Sequence, residues 1–571
     1  MNIIDWLLLS LTIASVVVYG MYRSKRPKDL NTYLLAERKL PWYHVGLSVM
    51  ATQASAITFL SAPGQAYGDG IRFIQFYFGL PLATIVLCTT FIPAFRSLNV
   101  YTAYEFLERR FDRKTRTFTS LLFLLQRGLS TGITIYAPSI VVSTILGLDL
   151  RWTTVFTGGI VILYTVSGGS KAVSYTQLLQ MIIIFTGLFV AGWMVVSLLP
   201  EGVGFIDALH IAGKSDRLNA IDTSFDLNNR YTIWSGIIGG FFLQLSYFGT
   251  DQSQVGRYLT GKNDRESKLG LLMNGFVKIP MQFFILLIGT LVFAYYQFHQ
   301  PPAYFNRQLL EEARNSSVGP RIEQLETSYG RQHQEKRRCV ESLTSALHAN
   351  DEADILKLRN ELTLLNHQSD SIRKELVTTI QKQLPEADAN DTNYVFLTFV
   401  LDHLPHGLIG ILIAIILLAA MGSTSSGLNS LGSSTVIDVF RANEKQQPEN
   451  KHDWIRTTKW STGLWGVFAI AVALFASRLG NLLEAVNILG SLFYGTILGI
   501  FLTAFLLKNV KGTPVFIAAI LTEIMVIVAW MSDFSAFLWL NVLGTLSVMI
   551  LSLIFDALNS IREKDHRTSD T

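Results

Sequence analysis

The residues with a capacity for chemistry lie inside segments otherwise built for lipid. The apolar stretch Val45 to Gly64 turns at its middle into Ala51-Thr52-Gln53-Ala54-Ser55-Ala56, small and polar where a bilayer favours Leu and Ile. A second apolar segment carries Gly249, Asp251, Gln252 and Gln254, and a third carries the hydroxyl-rich run Ala419 to Ser430. Gly168 to Gln177 reads as a cytoplasmic turn into a helix whose start bears Thr176, Gln177 and Gln180. A helix interrupted within a membrane leaves backbone groups unpaired, which is tolerable only where they line a cavity or hold a ligand. Breaks are therefore expected at Ala51–Ala56 and at Gly249–Asp251. The competing reading of the small residues is close helix packing. Asp251 marks function by the cost of an intramembrane carboxylate, unless it lies near the cytoplasmic end and is merely solvated. No phosphate-binding loop, metal-ligand histidine cluster or nucleophile motif supports an enzyme.

The elements that must position these residues follow from composition. With 50% hydrophobic and 16% charged residues over 571 positions and a mean hydropathy of +0.34, the chain is polytopic in the membrane. Its net charge of +4 is small, and the basic residues gather beside apolar segments, so they speak of topology and not of nucleic acid. Cys88 is in an apolar segment and Cys339 in a hydrophilic one, so no disulfide is expected.

Apolar stretches predict about thirteen crossings. Placing the N-terminus outside puts the basic-rich segments Arg23 to Lys39, Arg96 to Arg116, Arg257 to Lys268, Arg441 to Lys459, Lys508 to Lys511 and the tail from Arg562 on the cytoplasmic side. Ile3 to Met21 lacks a basic leader and is followed by Arg23, Lys25, Arg26 and Lys28, so it reads as an uncleaved helix. Between Pro301 and Asp391 the chain is strongly charged, and its apolar residues recur at helical spacing with a turn at Ala349-Asn350-Asp351. That pattern predicts an antiparallel helical hairpin outside the membrane, on the outer side.

Several local sequences resemble the sodium:solute symporter family, nearest to its iodide, vitamin and monocarboxylate branch and bacterial relatives. They are Tyr33-Leu-Leu-Ala-Glu-Arg-Lys-Leu-Pro-Trp42 with Gly46-Leu-Ser48, then Tyr101-Thr-Ala-Tyr-Glu-Phe-Leu-Glu-Arg-Arg-Phe111, Leu404-Pro-His-Gly-Leu408 and Ser425-Ser-Gly-Leu-Asn-Ser430. The resemblance implies an all-α, leucine-transporter-like fold of two inverted five-helix repeats, each opening on a broken helix. The corresponding division is 1–39 leading helix and linker, 40–200 first repeat, 201–300 start of the second, 301–392 hairpin insertion, 393–510 rest of the second repeat, and 511–571 two trailing helices with a short cytoplasmic tail.

By the same resemblance, a sodium ion is held by the carbonyls of Ala51, Ala54 and Ala419 and the hydroxyl of Ser423. Gly422 departs from the family by offering no hydroxyl, so Thr424 or a water is expected to substitute. The second sodium site of some members maps to Ser425, Ser426 and Gln177. Gln177 stands where those members have an aspartate, which favours a single coupling ion. The solute is expected among Gln53, Thr58, Gln75, Tyr136, Gln244, Asp251 and Tyr494, while Phe76, Tyr77 and Phe78 are assigned to packing or lipid. No intramembrane arginine is expected to clamp a carboxylate bidentately, so a sugar, sugar acid or polyol is favoured over a dicarboxylate.

The functional expectation is a sodium-coupled symporter of the bacterial inner membrane that imports a small polar solute by alternating access. Alternatives are uptake of a monocarboxylate, amino acid or inorganic anion, or a proton-coupled carrier with Asp251 as its only evident titratable group. A solute sensor is the least expected class, because the tail after Asp556 is short.

Overall fold

The computed structural model describes residues 1–23, 34–385, 387, 390–440 and 451–569. Tyr33 and parts of the basic segments Arg23 to Lys39 and Arg441 to Lys459 lie outside them. Among the described residues nine helices are long and apolar enough to cross a membrane, with a shorter apolar one at Leu150–Val166. Interrupted helices escape a test of length, so nine and about thirteen measure different things.

The first helix, α1 (Ile3–Arg23), is followed by α2 (Trp42–Gln53), which begins directly after Pro41. At Ala54 and Ser55 the backbone leaves helical geometry, with ψ of 85° and 176°, before α3 (Ala56–Asp69) resumes. The Ser55 N–H turns to the Gln53 carbonyl and the Thr58 N–H to the Ser55 carbonyl. The carbonyls of Ala51 and Ala54 thereby lose their helical donors.

Helix α4 (Arg113–Leu146) leads to α5, which runs unbroken from Leu150 to Ser197. The turn expected at Gly168–Gln177 is thus helical backbone. Side chains 167–172 lie outside the described residues. Two glycines and a serine are weak enough breakers to be carried by the helix on either side.

The second interruption separates α6 (Gly240–Thr250) from α7 (Gln252–Tyr258). Asp251 sits between them with ψ of 115° and caps α7 by accepting from the Ser253 N–H. After α8 (Asp264–Phe298) come the short α9 (Arg307–Arg314) and the pair α10 (Gly319–Ala349) and α11 (Glu352–Gln383). Asn350 takes the left-handed conformation that ends α10, and Asp351 caps α11.

Two helices follow, α12 (Thr392–His403) and α13 (Leu408–Ser434). Gly407 divides them at φ of 91°, and Asp5 of α1 accepts its N–H. The last four helices are α14 (Lys451–Ala473), α15 (Leu482–Leu506), α16 (Gly512–Met531) and α17 (Phe537–Ser569). Helix α13 packs against α2, α3, α4 and α5, which places its hydroxyl run beside the first break.

Candidate functional site

Gln53, Thr58, Gln244, Tyr494 and Ser423 line one cavity of about 90 Å³, together with Thr52 and Ser55 at the first break. The cavity wall also includes Phe76, Tyr77, Arg127, Ser130 and Asn487. Gln53 Oε1 and both amide atoms of Gln244 are buried without a hydrogen-bond partner, which leaves them free to bind.

Two expected contributors are elsewhere. The Gln75 amide is spent on the Tyr231 carbonyl (2.9 Å) and the Asp222 N–H (3.1 Å), where it ties two loops together. Tyr136 lines a separate cleft with Ser143, Asn306 and Gln308. Phe76 and Tyr77, assigned above to packing, stand in the cavity wall because residues 70–77 form a tight helical turn that folds them inward.

Asp251 accepts from the Tyr494 hydroxyl (2.8 Å) and from the Ser253 hydroxyl (2.6 Å), and the Arg127 guanidinium lies 3.6 Å from it. The expectation of no intramembrane arginine is therefore overturned. Arg127 hides in an apolar run because the buried carboxylate at the break between α6 and α7 compensates its charge, a partnership that hydropathy does not register. Asp251 is likewise not the only titratable group at this depth: Lys278 of α8 is fully buried, with its Nζ 5.7 Å from the centroid of the Tyr77 ring.

At the ion ligands proposed from sequence, the Ser423 hydroxyl donates to the Ala419 carbonyl (3.0 Å) and the Ala420 carbonyl (3.2 Å). The space left by Gly422 is occupied. Gln180 Oε1 lies 2.6 Å from where a Cβ at 422 would stand. Gln180 is 1% exposed, and this oxygen has no hydrogen-bond partner. Thr424, the substitute expected from sequence, instead donates to Thr134 (3.3 Å).

Gln177 Nε2 lies within hydrogen-bond distance of Thr52 Oγ1 (3.2 Å), the Gly422 carbonyl (3.2 Å) and Ser426 Oγ (2.9 Å). Its Oε1 accepts from the Ser48 hydroxyl (2.6 Å). The amide nitrogen thus sits among three oxygens, as a small cation would. Ser425 donates to the Met421 carbonyl and accepts from Thr165 (3.1 Å). Among the described residues no group of three or more His, Cys, Asp or Glu is placed to hold a metal.

Comparison with known proteins bears on this arrangement. The human sodium/iodide cotransporter is 34% identical over 251 residues, 43% of this chain and 38% of that protein. The sodium-coupled monocarboxylate transporter 1 of Xenopus laevis is 26% identical over 550 residues, 94% of this chain and 72% of that one. The sodium-dependent multivitamin transporter of Oryctolagus cuniculus is 32% identical over 304 residues, 52% and 46% of the two chains.

In fold, the chain superposes on a Na+-coupled sialic acid symporter solved in a substrate-bound outward-open state. The TM-score is 0.75 at 23% identity, and 98% of both chains is covered. A nucleobase-cation-symport-1 family transporter in a closed conformation gives a TM-score of 0.51 at 11% identity, covering 92% of this chain and 95% of that one. These likenesses identify the leucine-transporter-like fold. The sequence model of the sodium:solute symporter family matches residues 33–309 and 374–522, leaving out most of α10 and α11. With that match running over well more than half of its length, the chain belongs to the sodium:solute symporter family.

Proposed function

We propose that this protein is a sodium-coupled symporter that carries a small polar solute across the membrane. The observation that carries the reading is convergence: the first break, Ser423 of the hydroxyl run, and Gln244 and Tyr494 meet at one cavity. Sodium prefers oxygen ligands, and the carbonyls of Ala51, Ala54 and Ala419 with the Ser423 hydroxyl supply them without a full counter-charge. Gln180 Oε1 stands where a side chain at Gly422 would reach and completes that set. The Gln177 amide fills the place of a second ion, which supports a stoichiometry of one. Sodium couples to the solute by binding the outward and inward states with different affinity. The charge pattern of the loops supports an outside N-terminus and a cytoplasmic C-terminus.

The cavity narrows the solute. A volume of about 90 Å³ falls well below a drug-sized pocket of about 300 to 1,000 Å³. Such a space suits a handful of non-hydrogen atoms. Sugar or polyol was favoured on the expected absence of arginine, and Arg127 removes that ground. A small carboxylate or inorganic anion now fits better, with the Arg127 guanidinium and the free Gln244 Nε2 as donors. The monocarboxylate and iodide carriers among its relatives point the same way.

The test is a thermal-shift screen of the purified protein against monocarboxylates, iodide, sialic acid and hexoses, each in sodium and in potassium. The expected result is a rise in Tm for a small anion in sodium only, lost in Ser423→Ala. Equal stabilisation in both salts would sink the sodium-coupled reading. A sodium-dependent response to hexoses alone would return the solute to the sugars.

A further inference from the structure

A buried carboxyl lies away from the cavity and takes no part in the symport reading. Glu523 is the twelfth residue of α16, so about 16 Å of helix separates it from Gly512 and about 12 Å from Met531. It is 7% exposed, and neither carboxylate oxygen has a hydrogen-bond partner. Thr496 of α15 is the polar side chain turned toward it, and the Thr496 hydroxyl is itself unpartnered. Thr522 Oγ1 and Asn541 Oδ1, both fully buried and in the same three-helix group, are also unpartnered.

Among the described residues no cation is paired with this carboxyl. Within α16 it is the only ionisable residue. On α15 the only charged residue is Glu484, in the first turn and bound to Arg230, while Tyr494 donates to Asp251. On α17 the first charged residue is Asp556, which accepts from the Lys511 N–H at the far end. On α4, Arg113 is exposed, Lys114 reaches Thr513, Arg116 binds Asp438 and Arg127 faces Asp251. An ionised carboxylate in such surroundings is prohibitively costly, and the compensation at hand is a proton.

We propose that Glu523 is a proton-binding site in the seam between α15, α16 and α17, and that proton release there loosens the packing of α15. The seam is built to transmit such a change. Thr545 of α17 donates to the Gly495 carbonyl (3.1 Å), and Asn541 donates to Ser491 (2.8 Å). A Cβ on Gly495 would stand 2.9 Å from the Asn541 carbonyl, so the two backbones touch. Deprotonation places a negative charge in this dry contact and draws water toward it. Helix α15 carries Tyr494, Leu483, Val486 and Asn487 of the cavity wall, so its movement is felt at the solute site.

The test uses the full-length protein and Glu523→Gln, which keeps the shape of the protonated carboxyl. Infrared difference spectra between the two should show a protonated-carboxyl C=O band at neutral pH that fades as pH rises. As the band fades the wild-type Tm should fall by about 1 to 2 °C while that of the variant stays level. Thr496→Val, with the carboxyl retained, should move the wild-type midpoint along the pH axis. The proposal is overturned by the absence of such a band, by a band that persists at every pH, or by a variant that reproduces the wild-type pH profile. None of these measurements requires transport, so they fail or succeed separately from the symport reading, which the sodium-dependent thermal shift tests.

Discussion

At the scale of single residues, the site is a matter of which oxygens remain free. Glycine at 422 offers no hydroxyl to the proposed ion site, and the Gln180 amide oxygen from α5 occupies the volume a side chain there would take. If that oxygen contacts sodium, Gln180→Ala should weaken sodium affinity about tenfold, equivalent to about 1.4 kcal/mol. Gly422→Ser alone should also weaken it, since its Cβ would stand 2.6 Å from Gln180 Oε1. The double variant Gln180→Ala with Gly422→Ser trades one oxygen for another and should recover affinity to within about threefold of wild type. Sodium titrations followed by Tm measure all three. Additive losses in the double variant would show that the two positions do not share the ion. Sequence alone offered the polarity of Gln180 but not its partner, because the compensation between 180 and 422 exists only once α5 and α13 are packed together.

At the scale of elements, the two breaks were legible because their causes are local. A run of small and polar residues in one segment, and a Gly and an Asp in the other, announce lost helical continuity without any partner. The buried settings of Arg127 and Glu523 were not legible, because burial and pairing belong to neighbouring helices. The same distinction applies to α3, which meets α8 through backbone contacts that no pattern reveals. A Cβ on Gly289 of α8 would stand 2.2 Å from the Pro63 carbonyl oxygen and 2.6 Å from Pro63 Cα. Backbone atoms in a packed helix cannot yield as a flexible side chain can. Gly289→Ala should therefore cost about 3 kcal/mol of stability and disturb Thr58, which α3 carries into the cavity. Gly159→Ala is the control: a Cβ there meets nothing within 4 Å, so it should be neutral or slightly stabilising. Melting curves of the two variants side by side decide whether the close contact or the mere loss of a glycine matters.

At the scale of the whole molecule, the chain divides into a membrane body and the α10–α11 pair. The pair has apolar cores of its own, one around Ile322, Leu325, Tyr329, Leu376 and Ile380. Another, around Val340, Leu343 and Leu362, reaches Phe298 at the end of α8 and Ile211 in the helix Phe205–Lys214. The pair is pinned at its base by Arg373, which binds Asp391 at 2.8 Å. A separate core implies separate stability, and His333 in α10 gives a handle on it. The ring is 5% exposed, and burial, with Lys336, Arg337 and His299 nearby, pushes its pKa down to about 4. The folded state thus binds this proton more weakly than the unfolded chain, whose histidine titrates near about 6.5. The stability that neutral His333 allows is intact above about pH 6.5 and is lost as pH falls toward 4, amounting to about 3 kcal/mol in full. Hydrogen exchange at about pH 5 should accordingly quicken in α10 and α11 relative to pH 7, after correction for intrinsic rates, while α13 and α15 keep their protection. His333→Gln should remove most of that acid response. Loosening that spread into α13 together with the pair would instead show that the molecule unfolds as one cooperative unit, with the insertion bearing directly on the proposed sodium site.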